Sequence, residues 1–122
     1  MVAPAQRRGT IFIADDEPNF RESIQDALED VGYLVLPARG GIEALARMHG
    51  FSGNGLAIVD LNMPEMDGWE LIENMRADKN LAHIPIVVVS SHGRDSATLA
   101  DRHLEKPLRL GELLQTVQEL MA

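Results

Sequence analysis

Three observations predict an α/β protein built on a doubly wound parallel sheet. Short apolar runs alternate with longer segments whose apolar residues recur at helical spacing. The runs are nearly continuous in apolar character, as expected of strands covered on both faces. The connections leave room for helices: seventeen residues separate Asp15 from Tyr33, and nineteen separate Leu36 from Leu56.

The elements follow in order. TIFIA, residues 10–14, is a β-branched run that reads as the first strand. Pro18 opens a helix in which Phe20, Ile24, Leu28 and Val31 share one face, and Gly32 stops it. Tyr33 to Leu36 reads as the second strand, and Ile42, Leu45 and Ala46 mark a brief helix ending near Gly50. Leu56 to Val59 is the third strand. The turn-rich stretch NMPEMDG leads to a third helix marked by Leu71, Ile72 and Met75, with Trp69 as a packing residue at its start. Ile84 to Val89 is the fourth strand and His103 to Glu105 a short fifth, and Leu110, Leu113, Leu114, Val117 and Leu120 describe a terminal amphipathic helix.

One connection is short. Only twelve residues, 91 to 102, separate Ser90 from His103, and a whole crossover with its helix needs about 10 to 12. Residues 91–102 are therefore expected to form a loop, or a helix of one to two turns at most. The fourth helix is shortened or missing, and dimerisation through a full fourth helix is unavailable.

Composition narrows the function. A chain of 122 residues with 45% hydrophobic and 25% charged residues fits one globular domain, expected over residues 10–122. Residues 1–9, with Arg7 and Arg8, read as a flexible, solvated N-terminal tail. A formal charge of −8 repels nucleic acid phosphates and anionic membrane surfaces, so direct binding to either is disfavoured. With no cysteine, disulfides and thiolate metal sites are excluded. The N-terminus lacks the apolar core of a signal peptide, and no run approaches the ~20 apolar residues of a membrane span. A cytoplasmic protein is expected.

In an open parallel sheet, ligands bind beyond the carboxyl ends of the strands, where strand order reverses. The first strand ends in Asp15, Asp16 and Glu17, the third in Asp60, the fourth in Ser90, and the fifth delivers Lys106. With a flavodoxin-like order, 2-1-3-4-5, the first and third strands are neighbours, and Asp15, Asp16 and Asp60 come together. Three carboxylates in one pocket call for a cation. Mg2+ suits them, being a hard ion commonly held by one or two carboxylates together with a substrate phosphate. Lys106 adds a point charge for that phosphate and Ser90 a hydroxyl donor. A carboxylate beside the metal can itself be the nucleophile, giving an aspartyl phosphate, and Asp60, alone on its strand, is the candidate. Singly, each residue has a plainer reading: Asp15-Asp16-Glu17 as a charged helix start, Asp60 as a strand-end cap, Ser90 as turn material. The combination favours the phosphoryl site.

These residues resemble one family: the CheY-like receiver domains of two-component response regulators. The matching pieces are Asp15-Asp16 after TIFIA, Asp60 in LAIVDLNMPEMDG, Ser90 after IPIVVVS, and Lys106-Pro107, and the resemblance covers residues 10 to 121. It implies that Asp60 accepts a phosphoryl group from a histidine of a sensor histidine kinase or a histidine phosphotransfer protein, within a phosphorelay. It implies that Asp16, Asp60 and the main-chain carbonyl of Asn62 ligate Mg2+, with Asp15 acting mainly through water. Ser90 and Lys106 would contact the phosphoryl oxygens, and Lys106-Pro107 would be a cis peptide. Where receivers usually carry Tyr or Phe three positions before the lysine, this chain has His103, so Ser90 and His103 would form the switch pair.

The expected function is thus a phosphorylation-controlled switch acting on an unknown downstream protein, either stand-alone or excised from a larger regulator. It would catalyse only its own phosphorylation and dephosphorylation. Two alternatives are an Mg2+-dependent phosphatase or phosphotransferase on a small molecule, and a pseudo-receiver that binds partners without phosphorylation.

Overall fold

The computed structural model describes residues 8–91 and 99–121. Five strands, β1 (Thr10–Ala14), β2 (Leu34–Ala38), β3 (Gly55–Asp60), β4 (Ile86–Ser90) and β5 (Arg102–Glu105), form one parallel sheet in the order β2-β1-β3-β4-β5. Among the described residues there are four helices: α1 (Pro18–Asp30), α2 (Gly41–Met48), α3 (Gly68–Ala77) and α4 (Leu110–Met121). The expected doubly wound class and strand order are both observed.

The continuous apolar runs follow from the two-sided burial. Alternate residues of a strand point to opposite faces, so Phe12, Ala14, Ala57, Val59, Ile86 and Val88 join α2 and α3 in one core cluster. Ile11, Ile13, Leu56, Ile58, Val87 and Val89 join α1 and α4 in the other. Each fully buried Ile, Leu, Val or Phe side chain among them contributes roughly 1.5–3 kcal/mol relative to exposure. Helix α1 ends as its sequence suggests: Gly32 takes a left-handed backbone (φ 102°), and the amides of Gly32 and Tyr33 bond back to Glu29 and Leu28.

Four strands differ in their bounds from expectation: β3 is longer by one residue at each end, β5 starts one residue earlier at Arg102, and β2 and β4 are displaced further. Strand β2 begins at Leu34, after Tyr33, and runs through Pro37 to Ala38. It is an edge strand, where a residue without an N–H breaks no required ladder bond. Strand β4 begins at Ile86, because Ile84 still closes a turn onto Leu81 and the carbonyl of Pro85 accepts from Ala57.

The expectation of a loop or short helix over 91–102 falls mainly on residues 92–98, which lie outside the described residues. Ser91 and Leu99 to Asp101 are non-helical. The far end of this connection is fastened by Arg76 of α3. Its guanidinium donates to the carbonyls of Leu99, Ala82 and Ile84 at 2.8–3.0 Å and pairs with Asp101 at 3.0 Å. Asp101 in turn accepts the amide of Ile86. Residues 1–7 of the expected tail also lie outside the described residues. Its last two are held: Arg8 donates its amide to Gly32, stacks its guanidinium on Tyr33 and accepts from Asn54, while the carbonyl of Gly9 accepts from Leu34.

Candidate functional site

Parallel strands place all their carboxyl ends on one edge, and the sequence puts the chemistry there. Asp15 follows β1, Asp60 ends β3, Ser90 ends β4 and Lys106 follows β5. Adjacency of β1 and β3 brings Asp15, Asp16 and Asp60 together, with one carboxylate oxygen from each inside a 4.8 Å group. Asp15 and Asp60 are buried and Asp16 is exposed. Among the described residues these three are the only cluster of this kind.

Hydrogen bonds hold the cluster in place. The Asp15 carboxylate accepts the amide of Glu17 at 2.8 Å, and its own amide donates to Ala38 of β2. Asp60 accepts the amide of Asn62 at 3.3 Å. Glu17, the third acid of the run, fits the plain reading: its side chain caps α1 by accepting from Asn19 and Phe20. Lys106 is positioned by its main-chain amide, which donates to the carbonyl of Ser90 at 2.9 Å. Its Nζ reaches Asp15 at 3.4 Å and Asp60 at 3.8 Å. The Lys106-Pro107 peptide is cis.

Charge balance defines what the pocket can take. Burial pushes the Asp15 carboxyl above the ordinary carboxylate range, against the Glu17 amide and Lys106, which hold it down. Burial also raises Asp60, and the neighbouring Asp15 raises it further. Three carboxylates facing one ammonium leave a net negative pocket of hard oxygen donors, and a small divalent cation fits it.

Ser90 is buried at the end of β4, opposite Glu105 in the β5 register, whereas His103 lies opposite Val88. The His103 side chain therefore shares a face with Val88, and its Nε2 is buried without a hydrogen-bond partner among the described residues.

Four contacts were not anticipated from the sequence. The ring of Phe20 lies under the Lys106 ammonium, with Nζ 4.4 Å from its centroid. Arg21, one turn into α1, donates from Nη1 to the carbonyl of Asp15 at 2.7 Å. Gly68 backs directly on β3: a Cβ there would fall on the Asp60 carbonyl oxygen. Asp67, just before it, caps α3 by accepting from Glu70 at 3.0 Å. Two of these left a signal in the sequence: a glycine inside a helix points to a close approach, and Asp67 with Glu70 three residues on is the pattern of a helix N-cap.

An open doubly wound sheet with a buried aspartate, a paired acid and a lysine at its carboxyl edge is the architecture of a signalling receiver. The model of the response regulator receiver domain family matches residues 11–118, and the chain belongs to that family. Over 84 residues, 68% of each chain, it is 34% identical to the chemotaxis protein CheY1 of Helicobacter pylori. Over 120 residues it is 32% identical to response regulator Rre1 of Synechocystis, covering 93% of this chain and 52% of that protein. It thus spans about half of Rre1. Among solved structures, response regulator TrrA of Thermotoga maritima, in complex with Mg2+-BeF, superposes with a TM-score of 0.82 at 29% identity, covering 92% of this chain and 98% of that one. Among the described residues, no helix is long and apolar enough to cross a membrane.

Proposed function

We propose that residues 10–122 act as a phosphoacceptor switch, taking a phosphoryl group on Asp60 from the phosphohistidine of a sensor histidine kinase or histidine phosphotransfer protein. The observation that carries this reading is the placement of the Asp60 carboxylate inside one acidic cluster with Asp15 and Asp16, 3.8 Å from Lys106 Nζ. A carboxylate oxygen of Asp60 attacks phosphorus in line with the P–N bond. That bond breaks with its electron pair going to the imidazole nitrogen, which takes up a proton. Lys106 meets the charge on the phosphoryl oxygens, with Ser90 as the second contact, and positioning does most of the work.

Mg2+ is assigned to Asp16, Asp60 and the main-chain carbonyl of Asn62, with Asp15 acting mainly through water; when bound it neutralises charge on the transferring group. The acidic donor set supports this, as does the Mg2+-BeF complex of TrrA. Readout is assigned to Ser90 and His103, and a buried Nε2 without a partner among the described residues gives His103 a reason to move.

Intact mass after incubation with a small phosphodonor and Mg2+ tests the reading. A labile gain of one phosphoryl group that Asp60→Asn abolishes is expected. No gain with any phosphodonor or kinase would instead favour a phosphorylation-independent binding module, and multiple turnover on a phosphorylated metabolite would favour an enzyme.

A further inference from the structure

The Lys106 ammonium is enclosed on three sides. Asp15 Oδ2 lies at 3.4 Å, Asp60 Oδ2 at 3.8 Å, and the centroid of the Phe20 ring at 4.4 Å. Phe20 is itself fixed twice. Its amide donates to Glu17 Oε2 at 2.6 Å in the first turn of α1, and its side chain packs on the cluster between the sheet, α1 and α4. An ammonium is compact and strongly hydrated, so water competes with any phosphoryl oxygen for its three donors. An aromatic face attracts the cation through its quadrupole yet offers no conventional acceptor lone pair. The ring can therefore displace water from one side of Lys106 while leaving its donors for oxygen.

We propose that Phe20 is a positioning residue, which holds the Lys106 ammonium over the Asp60 pocket and keeps water from its outer side. The kinetic consequence rests on the phosphoacceptor reading, whereas the ring–ammonium pairing does not. Packing alone would make any apolar side chain of similar size equivalent at this position. Phe20→Leu keeps apolar volume and loses the quadrupole, and Phe20→Tyr keeps the ring.

The three proteins are compared by two readouts. Without any phosphodonor, the proton and carbon shifts of the Lys106 ε-methylene report the ring. They are expected upfield in the parent and in Phe20→Tyr, and at the ordinary lysine position in Phe20→Leu. With acetyl phosphate and Mg2+, phosphoryl incorporation is expected to slow by about three- to tenfold in Phe20→Leu, the scale of one partly exposed cation–π contact, and to stay near the parent rate in Phe20→Tyr. Equal rates in Phe20→Leu and the parent, or equal losses in Phe20→Leu and Phe20→Tyr, would overturn the proposal. If the parent itself takes no phosphoryl group, the phosphoacceptor reading fails and the methylene shifts decide the pairing alone: ordinary lysine shifts in the parent would sink it. Should Phe20→Leu not fold, Phe20→Met serves in its place under the same outcomes.

Discussion

Asp15 and Asp60 share one ammonium. Lys106 Nζ lies 3.4 Å from the first carboxylate and 3.8 Å from the second, and both acids are buried. One positive charge cannot balance two buried negative charges and the exposed Asp16 beside them, so the pocket is held at an electrostatic disadvantage that a cation or a lost charge relieves.

Asp60→Asn is expected to stabilise the metal-free protein near neutral pH. Burial raises the folded pKa of Asp60 above its ordinary 3.8, with Asp15 adding to the rise. A raised carboxyl contributes stability below its unfolded pKa, and this is lost as pH climbs through the folded value. The gain of Asp60→Asn over the parent should therefore grow as pH rises from about 4 to 7. The variant's melting midpoint should accordingly lie above the parent's, by a margin that widens toward neutral pH. Thermal melts in chelator across that pH range check it, and a gain that shrinks with rising pH would contradict the assignment.

Lys106→Met should separate metal binding from phosphoryl transfer. Removing a positive charge from beside the acids strengthens divalent cation binding, by about tenfold on the scale of partly screened charges a few ångströms apart. The same change removes the group proposed to meet the phosphoryl oxygens, so incorporation from acetyl phosphate should fall steeply. Titration with Mg2+ followed by tryptophan fluorescence, from the single Trp69, measures the first effect, and intact mass the second. Weaker Mg2+ binding in the variant would show that Lys106 organises the acids rather than competing with the ion.

Gly68→Ala should destabilise the fold by about 1–3 kcal/mol and weaken Mg2+ binding, because the added Cβ collides with the Asp60 carbonyl and the Leu61 backbone, and neither is a flexible side-chain end. Gly111→Ala is the control. That residue sits in the first turn of α4 with open space around it, so the change should be neutral or stabilise by up to about 1 kcal/mol. Urea unfolding of both variants compares them.

Arg76→Lys should cost about 2–3 kcal/mol although it keeps the charge. A single ammonium cannot span three carbonyls and a carboxylate that a planar guanidinium reaches together. Hydrogen exchange should show the loss at the start of β4, where Asp101 holds the Ile86 amide, with little change at Asp60. An effect spread evenly over the molecule would count against a local fastening.

What could be read from the sequence had a short-range or topological cause. Unbroken apolar runs marked the buried strands, and once the strand order is assumed, parallel geometry alone sends Asp15, Asp60, Ser90 and Lys106 to one edge. Boundaries slipped where tertiary context overrode local preference: Pro37 is tolerated in β2 because that strand is an edge, and Ile84 is drawn into a turn. The supporting contacts depended on distances that spacing does not encode. Phe20 read as one more residue of a helical stripe, and its position under Lys106 depends on how α1 lies against the end of β5. Arg76 and Asp101 are 25 residues apart, on elements whose approach only the packed sheet decides.

The Arg76 fastening bears on how Lys106 is placed. It ties the exit of the β4–β5 connection at the edge of the sheet opposite the acids, and the Lys106 amide ties the far end of β5 to Ser90 at the acid edge. The stretch between Ser91 and Leu99 is thereby framed by anchors that do not depend on its own length. Lengthening a connection adds only a slowly growing entropic term, about 0.6 kcal/mol per doubling. The placement of Lys106 beside the acids is thus set by the sheet and by Arg76 rather than by the connection itself.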